Sequence, residues 1–244
     1  MALGFLTALV AFLNPLTFTT SLRGTGPPLV FSTGLFNTMP SFIYSNLLTQ
    51  LSRNFTIITT SEPVRKSTIE EISKGLGIES VALFMHSSFH PDVLESPFLR
   101  GVVLCDPITV PAFNFDDGFI GTELEPSCDV MVIRAEKAYV PANATNTIPE
   151  LNSPTISTDC YFEHTFPGVG HPDLLDDAWA DLASYTNIWA TAYDEVLPFE
   201  TWARERIRTA DRDKRIWSAN ERAKSRRALY RKRVSELTSG FFLA

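Results

Sequence analysis

A central, mostly parallel β-sheet with helices on both faces is the architecture this sequence predicts, and three observations predict it. Apolar or β-branched runs alternate with segments of helical period through the first half of the chain, which is the pattern of parallel strands joined by crossover helices. The chain has 244 residues, a length that suits one compact domain built on such a sheet. Side chains able to do chemistry come directly after the apolar runs, and in parallel sheets reactive groups collect at the C-terminal strand ends.

Residues 28–33 read as a short buried strand, and residues 34–41 as a loop rich in turn formers. Phe42, Ile43, Leu47, Leu48 and Leu51 stand at helical spacing over residues 42–51. Residues 55–60 form a second, β-branched strand. Ser67 is placed as the N-cap of a helix that Gly75 and Gly77 end. Third, fourth and fifth strands are expected over residues 80–85, 101–105 and 128–134. Further on, residues 178–202 carry apolar and aromatic side chains on a helical period. Residues 228–242 carry Leu229, Val234, Leu237, Phe241 and Phe242 in a helical stripe.

Composition bounds the class. Hydrophobic residues make up 44% of the chain and charged residues 20%, an ordinary globular balance. The formal charge of −7 argues against a general nucleic-acid binder. The charge is unevenly spread. Residues 201–244 hold 13 Lys and Arg against 5 Asp and Glu, leaving 8 against 23 in the rest, so the C-terminal segment is a basic appendage on an acidic body. Residues 222–233, with Leu229 and Tyr230 inside and Trp217 just before, read either as a solvated helix face whose charge folds back on that body or as contact with an anionic membrane surface or nucleic acid. The three cysteines, Cys105, Cys128 and Cys160, form neither a disulfide framework nor a zinc-binding pair, and Cys105 reads as a small core residue.

The domain itself is expected over residues 28–244. Residues 1–27 precede it, with an apolar run at 2–13 closed by Asn14-Pro15. That run is shorter than the roughly 20 residues a membrane span takes. It reads equally as a targeting segment, plastid or secretory, and as an apolar helix packed on the domain; the second leaves a cytoplasmic location open. Asp116-Asp117-Gly118 reads as an acidic turn, and Asn54 and Asn143 head weak glycosylation-acceptor patterns.

The chemistry lies in the turns after the strands. Met85-His86-Ser87-Ser88-Phe89 comes after the third strand, where a nucleophile elbow would place a serine. That elbow normally has glycine at the positions of Met85 and Phe89, so a relaxed, opened turn is expected here. Asp106-Pro107 comes after the fourth strand, Glu136 and Lys137 after the fifth, and Gly170-His171-Pro172-Asp173 later still. Serine, acid and histidine thus occur in the order of the α/β-hydrolase fold. The set is chemically coherent, because serine is a poor nucleophile until histidine takes its proton, and an acid must orient and stabilise that imidazole. His86, His90 and His164 read as structural.

The residues also resemble those of a known family. Residues 28–61 look like the corresponding part of chlorophyllases, with Gly34-Leu35-Phe36-Asn37 and Phe42-Ile43-Tyr44-Ser45 in place. Gly170-His171-Pro172-Asp173-Leu174-Leu175-Asp176-Asp177 is similar to their histidine loop, and Val102-Val103-Leu104-Cys105-Asp106-Pro107 to their strand ending in Asp-Pro-Val. The closing helix over residues 228–242 resembles theirs. The elbow departs from the family's Gly-His-Ser-Arg-Gly-Gly, and the short, proline-interrupted stretch after Ser87 implies that the next helix is brief or displaced. The resemblance implies a triad of Ser87, Asp106 and His171, and an oxyanion hole from the backbone N–H groups of Leu35 and Ser88. Glu136 is the competing acid, although Ala138 aligns with the residue that many relatives use. The implied activity is a serine carboxylic-ester hydrolase acting through an acyl-enzyme on a small-molecule or lipid-like ester, with no metal or organic cofactor. The alternative is a catalytically weakened homologue that binds a lipid, pigment or protein partner.

Overall fold

The computed structural model describes residues 21–37, 39–60, 62–88, 90–108, 126–136, 161–185 and 210–244. The apolar run at 2–13, Phe89, the Asp116 turn, Lys137, Ala138, Asn143, Cys160 and residues 186–202 of the expected helical stretch lie outside them. The described residues form a seven-stranded sheet: β1 (Ser21–Arg23), β2 (Pro28–Ser32), β3 (Thr56–Thr59), β4 (Val81–Ser88), β5 (Leu99–Ile108), β6 (Asp129–Ala135) and β7 (Tyr161–Phe166). Their spatial order is β1-β3-β2-β4-β5-β6-β7. Strand β1 is antiparallel to β3, and every other neighbouring pair is parallel. This order, with one antiparallel strand at the edge and six parallel strands after it, is the α/β-hydrolase fold.

Alternation along the strands sorts the core into two layers, as a period of two requires. Leu29, Phe31, Ala82, Phe84, Val103 and Cys105 face one side. There they meet α2 (Ser45–Leu51), α4 (Asp177–Tyr185) and the long C-terminal helix α5 (Ala210–Leu243). Val30, Leu83, Met85, Val102 and Leu104 face the other, where Ile69 and Ile72 of α3 (Lys66–Leu76) cover them. The Phe31 and Phe84 rings stack across adjacent strands at 5.0 Å and 6°.

Helix α3 begins earlier than expected. Its N-cap is Arg65, not Ser67, and the Arg65 N–H donates to Thr68 Oγ1 at 3.2 Å, so the capping hydroxyl sits inside the first turn. Gly75 is carried through, and the helix stops at Gly77, whose φ of 64° is the left-handed C-cap conformation. Strand β7 has no counterpart among the expected elements. Most of its side chains are exposed, so it lacks the buried period-two pattern that reveals a strand in sequence. No helix among the described residues is long and apolar enough to cross a membrane.

Helix α5 buries Ala223, Tyr230, Val234 and Phe242 along one stripe. It ends against β5, where a Cβ on Gly101 would come within 3.1 Å of the Phe242 ring. Arg227 and Arg231 occupy inward positions of the same stripe and are buried, while Lys232 and Arg233 stay exposed and pair with Glu236. Among the described side chains of this helix, the positive charge therefore divides between a face turned inward onto the acidic body and a solvated face.

The stacked Phe31–Phe84 pair lies at the centre of the larger layer. Phe84→Ala is expected to lower the unfolding free energy by about 3–5 kcal/mol, the usual cost of emptying an aromatic site in a packed core. Urea unfolding tracked by circular dichroism measures it.

Candidate active site

The chain leaves β2, crosses to β3 on one side, and returns to β4 on the other. The crevice between the ends of β2 and β4 is thus the topological switch point, where ligands bind in open α/β sheets. Two segments meet there. From β2 comes Thr33 and the short helix α1 (Gly34–Asn37), and from β4 comes Ser87. A Cβ on Gly34 would press within 3.2 Å of Tyr44 Oη and Met39 Sδ and would touch the Ser87 Cβ at 3.5 Å, so glycine leaves room for the Tyr44 hydroxyl beside Ser87.

Ser87 is buried and has a φ of 68°, a left-handed conformation rare for a non-glycine residue. Met85 turns into the α3-side core layer, so its bulk is accommodated there, while Phe89 lies outside the described residues; Ser87 shares its left-handed backbone with Asp106 on the neighbouring strand. The stretch after the serine does match expectation: it is a five-residue 3₁₀ turn at Pro91–Glu95 in place of a long helix.

The register between β4 and β5 breaks at the same point. His86 pairs with Cys105 and Ser88 with Ile108, so Ser87 stands opposite both Asp106 and Pro107. This is a β-bulge, and bulges re-aim side chains. Asp106 takes a φ of 47°. Regular alternation would send it to the α3 side with Val102 and Leu104. Instead its Oδ2 lies 3.7 Å from His171 Nδ1, on the opposite side. Its Oδ1 accepts the Ala135 N–H at 2.5 Å. Burial pushes the Asp106 carboxyl up to about 7, with the Ala135 N–H and then Arg134 pulling it down.

His171 opens the 3₁₀ turn His171–Leu174 and is buried. Burial, then the neighbouring His86, holds its imidazole well below the usual histidine range, so it is neutral near pH 7. The His86 ring stacks on it with centroids 4.6 Å apart and an interplanar angle of 21°. His86 Nε2 lies 3.2 Å from the His171 carbonyl oxygen, an acceptor, so the proton sits on Nε2. Nδ1 must then accept from the Tyr44 hydroxyl at 2.8 Å. Tyr44 Oη in turn accepts the Gly34 N–H at 3.0 Å. One chain of hydrogen bonds thus joins the Gly34 loop to the histidine loop. Burial lowers His86 to about 4, in keeping with the neutral tautomer.

Asn37, with a φ of 65°, anchors the Gly34 loop from behind. Its Oδ1 accepts the Thr33 N–H at 2.8 Å, and its Nδ2 donates to the Thr60 and Glu62 carbonyls at 2.7 and 2.6 Å. Leu35 comes next after Gly34 within α1, so its backbone N–H belongs to the loop facing Ser87. Ser88 remains in the β4–β5 ladder. Glu136 is exposed, and its Oε2 accepts the Gly168 N–H at 2.7 Å, so it caps the turn leading to the histidine loop. His90 pairs with Asp92 at 2.7 Å, and His164 lies exposed on β7.

His86, Asp106 and His171 also bring their metal-capable atoms within 4.8 Å of one another. Both ring nitrogens of His86 are already hydrogen bonded, which suits a neutral relay better than a metal ligand. Sequence reasoning placed Ser87, Asp106 and His171 at this edge but missed Tyr44 and Asn37 and gave His86 no part in the site. Tyr44 sits in the middle of an apolar helical pattern and so reads as core.

No protein-family model and no curated protein matches the chain. Among solved structures it is similar to a marine microorganism esterase, at a TM-score of 0.45 and 12% identity over 63% of this chain and 92% of that one. It is similar to an epoxide hydrolase of Bacillus megaterium in complex with an inhibitor, at 0.42 and 9% over 70% and 94%. It is also similar to naproxen esterase, carboxylesterase NP, of Bacillus subtilis, at 0.40 and 13% over 68% and 90%.

Tyr44→Phe deletes the hydroxyl between Gly34 and His86 while keeping the ring. Two buried polar groups lose their partner, so the unfolding free energy is expected to fall by about 1–3 kcal/mol. Chemical denaturation of the variant beside Phe42→Leu, an exposed control, measures it.

Proposed function

We propose that this chain is a serine hydrolase of carboxylic esters, with Ser87 as nucleophile, His171 as general base and then acid, and Asp106 as the orienting acid. The observation that carries the reading is the shared bulge. A left-handed, buried serine stands at the switch point beside Gly34, and the strand residue opposite it is the aspartate turned toward His171. The Ser87 hydroxyl attacks the ester carbonyl as neutral His171 takes its proton. Ionised Asp106 stabilises the resulting imidazolium. The oxyanion is met by the N–H groups of Leu35 and Ser88. His171 returns the proton to the leaving alcohol, and water then releases the acyl group by the same path in reverse. The 3.7 Å separation of Asp106 and His171 is longer than a hydrogen bond, as triads without substrate often are, and is taken to shorten when the imidazole becomes charged.

The likeness of the histidine loop and the Gly34 loop to those of chlorophyllases supports a long-chain alcohol ester, such as the phytyl ester of chlorophyll, as substrate. A specific observation favours a second reading, a weakened homologue that binds a lipid, pigment or protein. The helix whose N-terminus normally assists the oxyanion is replaced by a five-residue turn. On either reading turnover is slow beside enzymes with an intact elbow.

A fluorophosphonate probe separates the two. Covalent labelling of the wild type that disappears in a folded Ser87→Ala variant is expected; an unlabelled, folded wild type would leave only the binder. The acid has its own signature. Asp106→Asn is expected to reduce ester hydrolysis by roughly a thousandfold or more, because an amide cannot stabilise the imidazolium. Glu136→Gln should leave it nearly unchanged, and the opposite ranking would transfer the role to Glu136.

The same groups set the pH profile. Activity requires the Asp106 carboxylate and neutral His171. His171 is already neutral below pH 7, so kcat/KM should rise with pH through a single limb near 7, where Asp106 loses its proton. A limb near 4 instead would mean that the carboxyl is not desolvated in solution.

A further inference from the structure

We propose that Arg227, on the C-terminal helix, is a positioning residue for His171, acting through Asp173. The placement stands on contacts in the fold; its effect on turnover rests on the hydrolase reading above.

The histidine loop is rich in acids, and the structure accounts for each of them. Asp176 Oδ1 accepts the Asn46 N–H at 3.0 Å, and the Asp176 N–H donates to the Ile43 carbonyl at 2.8 Å. Asp173 is fully buried and bridges two groups. Its Oδ2 accepts the N–H of Gly170, the residue before His171, at 2.7 Å, and its Oδ1 accepts Arg227 Nε–H at 2.8 Å. The same guanidinium donates through Nη1 to Asp181 Oδ1 at 2.5 Å. One turn along α5, Arg231 donates to the Leu175 carbonyl at 2.6 Å and to Asp177 Oδ1 at 3.0 Å. Two arginines on one helix face thus hold both ends of the 3₁₀ turn that begins with His171.

Arg227 has no exposed surface and stands in a stripe otherwise lined by Ala223, Tyr230 and Val234. Burial pushes its guanidinium down, and Asp173 and Asp181 more than reverse that shift. A buried ion pair is seldom the most stable filling for such a site; an apolar side chain of similar size often serves better. What the pair supplies is direction, because a planar fork fixes the carboxylate's orientation. Asp173 passes that orientation to the Gly170 N–H and so to the backbone entering His171. His86 holds the same residue from inside, through its carbonyl and by ring stacking. The Asp106–His171 contact is already loose at 3.7 Å, so a small shift of the loop moves the imidazole further from its acid. A 1 Å misplacement of a catalytic group costs roughly a hundredfold in rate. The basic C-terminal segment thereby gains a role at the site that its sequence does not announce.

The test uses the full chain and four variants: Arg227→Met, Arg227→Lys, Asp173→Asn and, as a solvated control, Arg233→Met. Steady-state kcat and KM are measured on a p-nitrophenyl ester well below each thermal midpoint. In parallel, nitrogen-15 spectra monitor the His171 imidazole, and hydrogen exchange monitors the Gly170 amide. Arg227→Met is expected to lose between about tenfold and a hundredfold in kcat with little change in KM, with shifted or broadened His171 resonances and a faster-exchanging Gly170 amide. Arg227→Lys should recover part of both, since it restores the charge without the fork. Unchanged Gly170 exchange and His171 resonances in a folded Arg227→Met would overturn the proposal. So would a kcat loss that vanishes as the assay temperature is lowered, which marks a purely stabilising contact. If Arg227→Met does not fold, Asp173→Asn and Arg227→Lys decide by the same two magnetic-resonance readouts. Should the wild type turn over no ester, the hydrolase reading fails by itself, and those readouts still judge the clamp.

Discussion

The register break between β4 and β5 is the constraint on which the site depends. A parallel ladder in perfect register would send Ser87 and Asp106 to the α3 side, with Met85 and Leu104. One residue set against two changes this. Both residues take positive φ, and the aspartate is turned toward the side where His171 sits. Two non-glycine residues in the left-handed region are costly, and they persist because the strands on either side are buried and firmly paired. The strain is therefore held at the centre of the described sheet.

Around that bulge the electrostatics are set by burial. Asp106, His86 and His171 are all removed from solvent, and each is displaced toward its neutral form. Two neutral histidines can stack without repulsion, and the neutral tautomer of His86 is the one that can accept from Tyr44 and donate to His171. The relay from Gly34 through Tyr44 and His86 to His171 then couples the loop after β2 to the loop after β7. The two loops are distant in sequence, and each borders Ser87 or the histidine that would serve it. The outer support comes from the opposite kind of interaction. Buried Arg227 and Asp173 pair with each other beneath the histidine loop.

Much of this was legible in the sequence. The five central strands have apolar runs dense enough to declare themselves, and the order of serine, aspartate and histidine is visible once those strands are marked. Other features were not. Strand β7 is mostly exposed, so it lacks the buried period-two alternation that declares a strand, although Tyr161, Phe162, Thr165 and Phe166 are strand-favouring residues. The left-handed backbone of Ser87 was not visible in the elbow sequence either: Met85 finds room in the α3-side layer, and Phe89 lies outside the described residues.

What the sequence determined by itself is what local period and residue type can encode: a parallel α/β sheet, the strand ends that carry Ser87 and Asp106, the later loop that carries His171, and a basic helix closing an acidic body. The tertiary structure alone decided how those residues face one another. The bulge is a relation between two strands, and neither strand carries it separately. The tautomer of His86 is set by a carbonyl 85 positions away. The burial of Arg227, a residue that in sequence belongs to a solvated run of charge, is set by Asp173 lying 54 positions before it. Directions of side chains and states of protons depend on partners remote in the chain, and a linear pattern does not contain them.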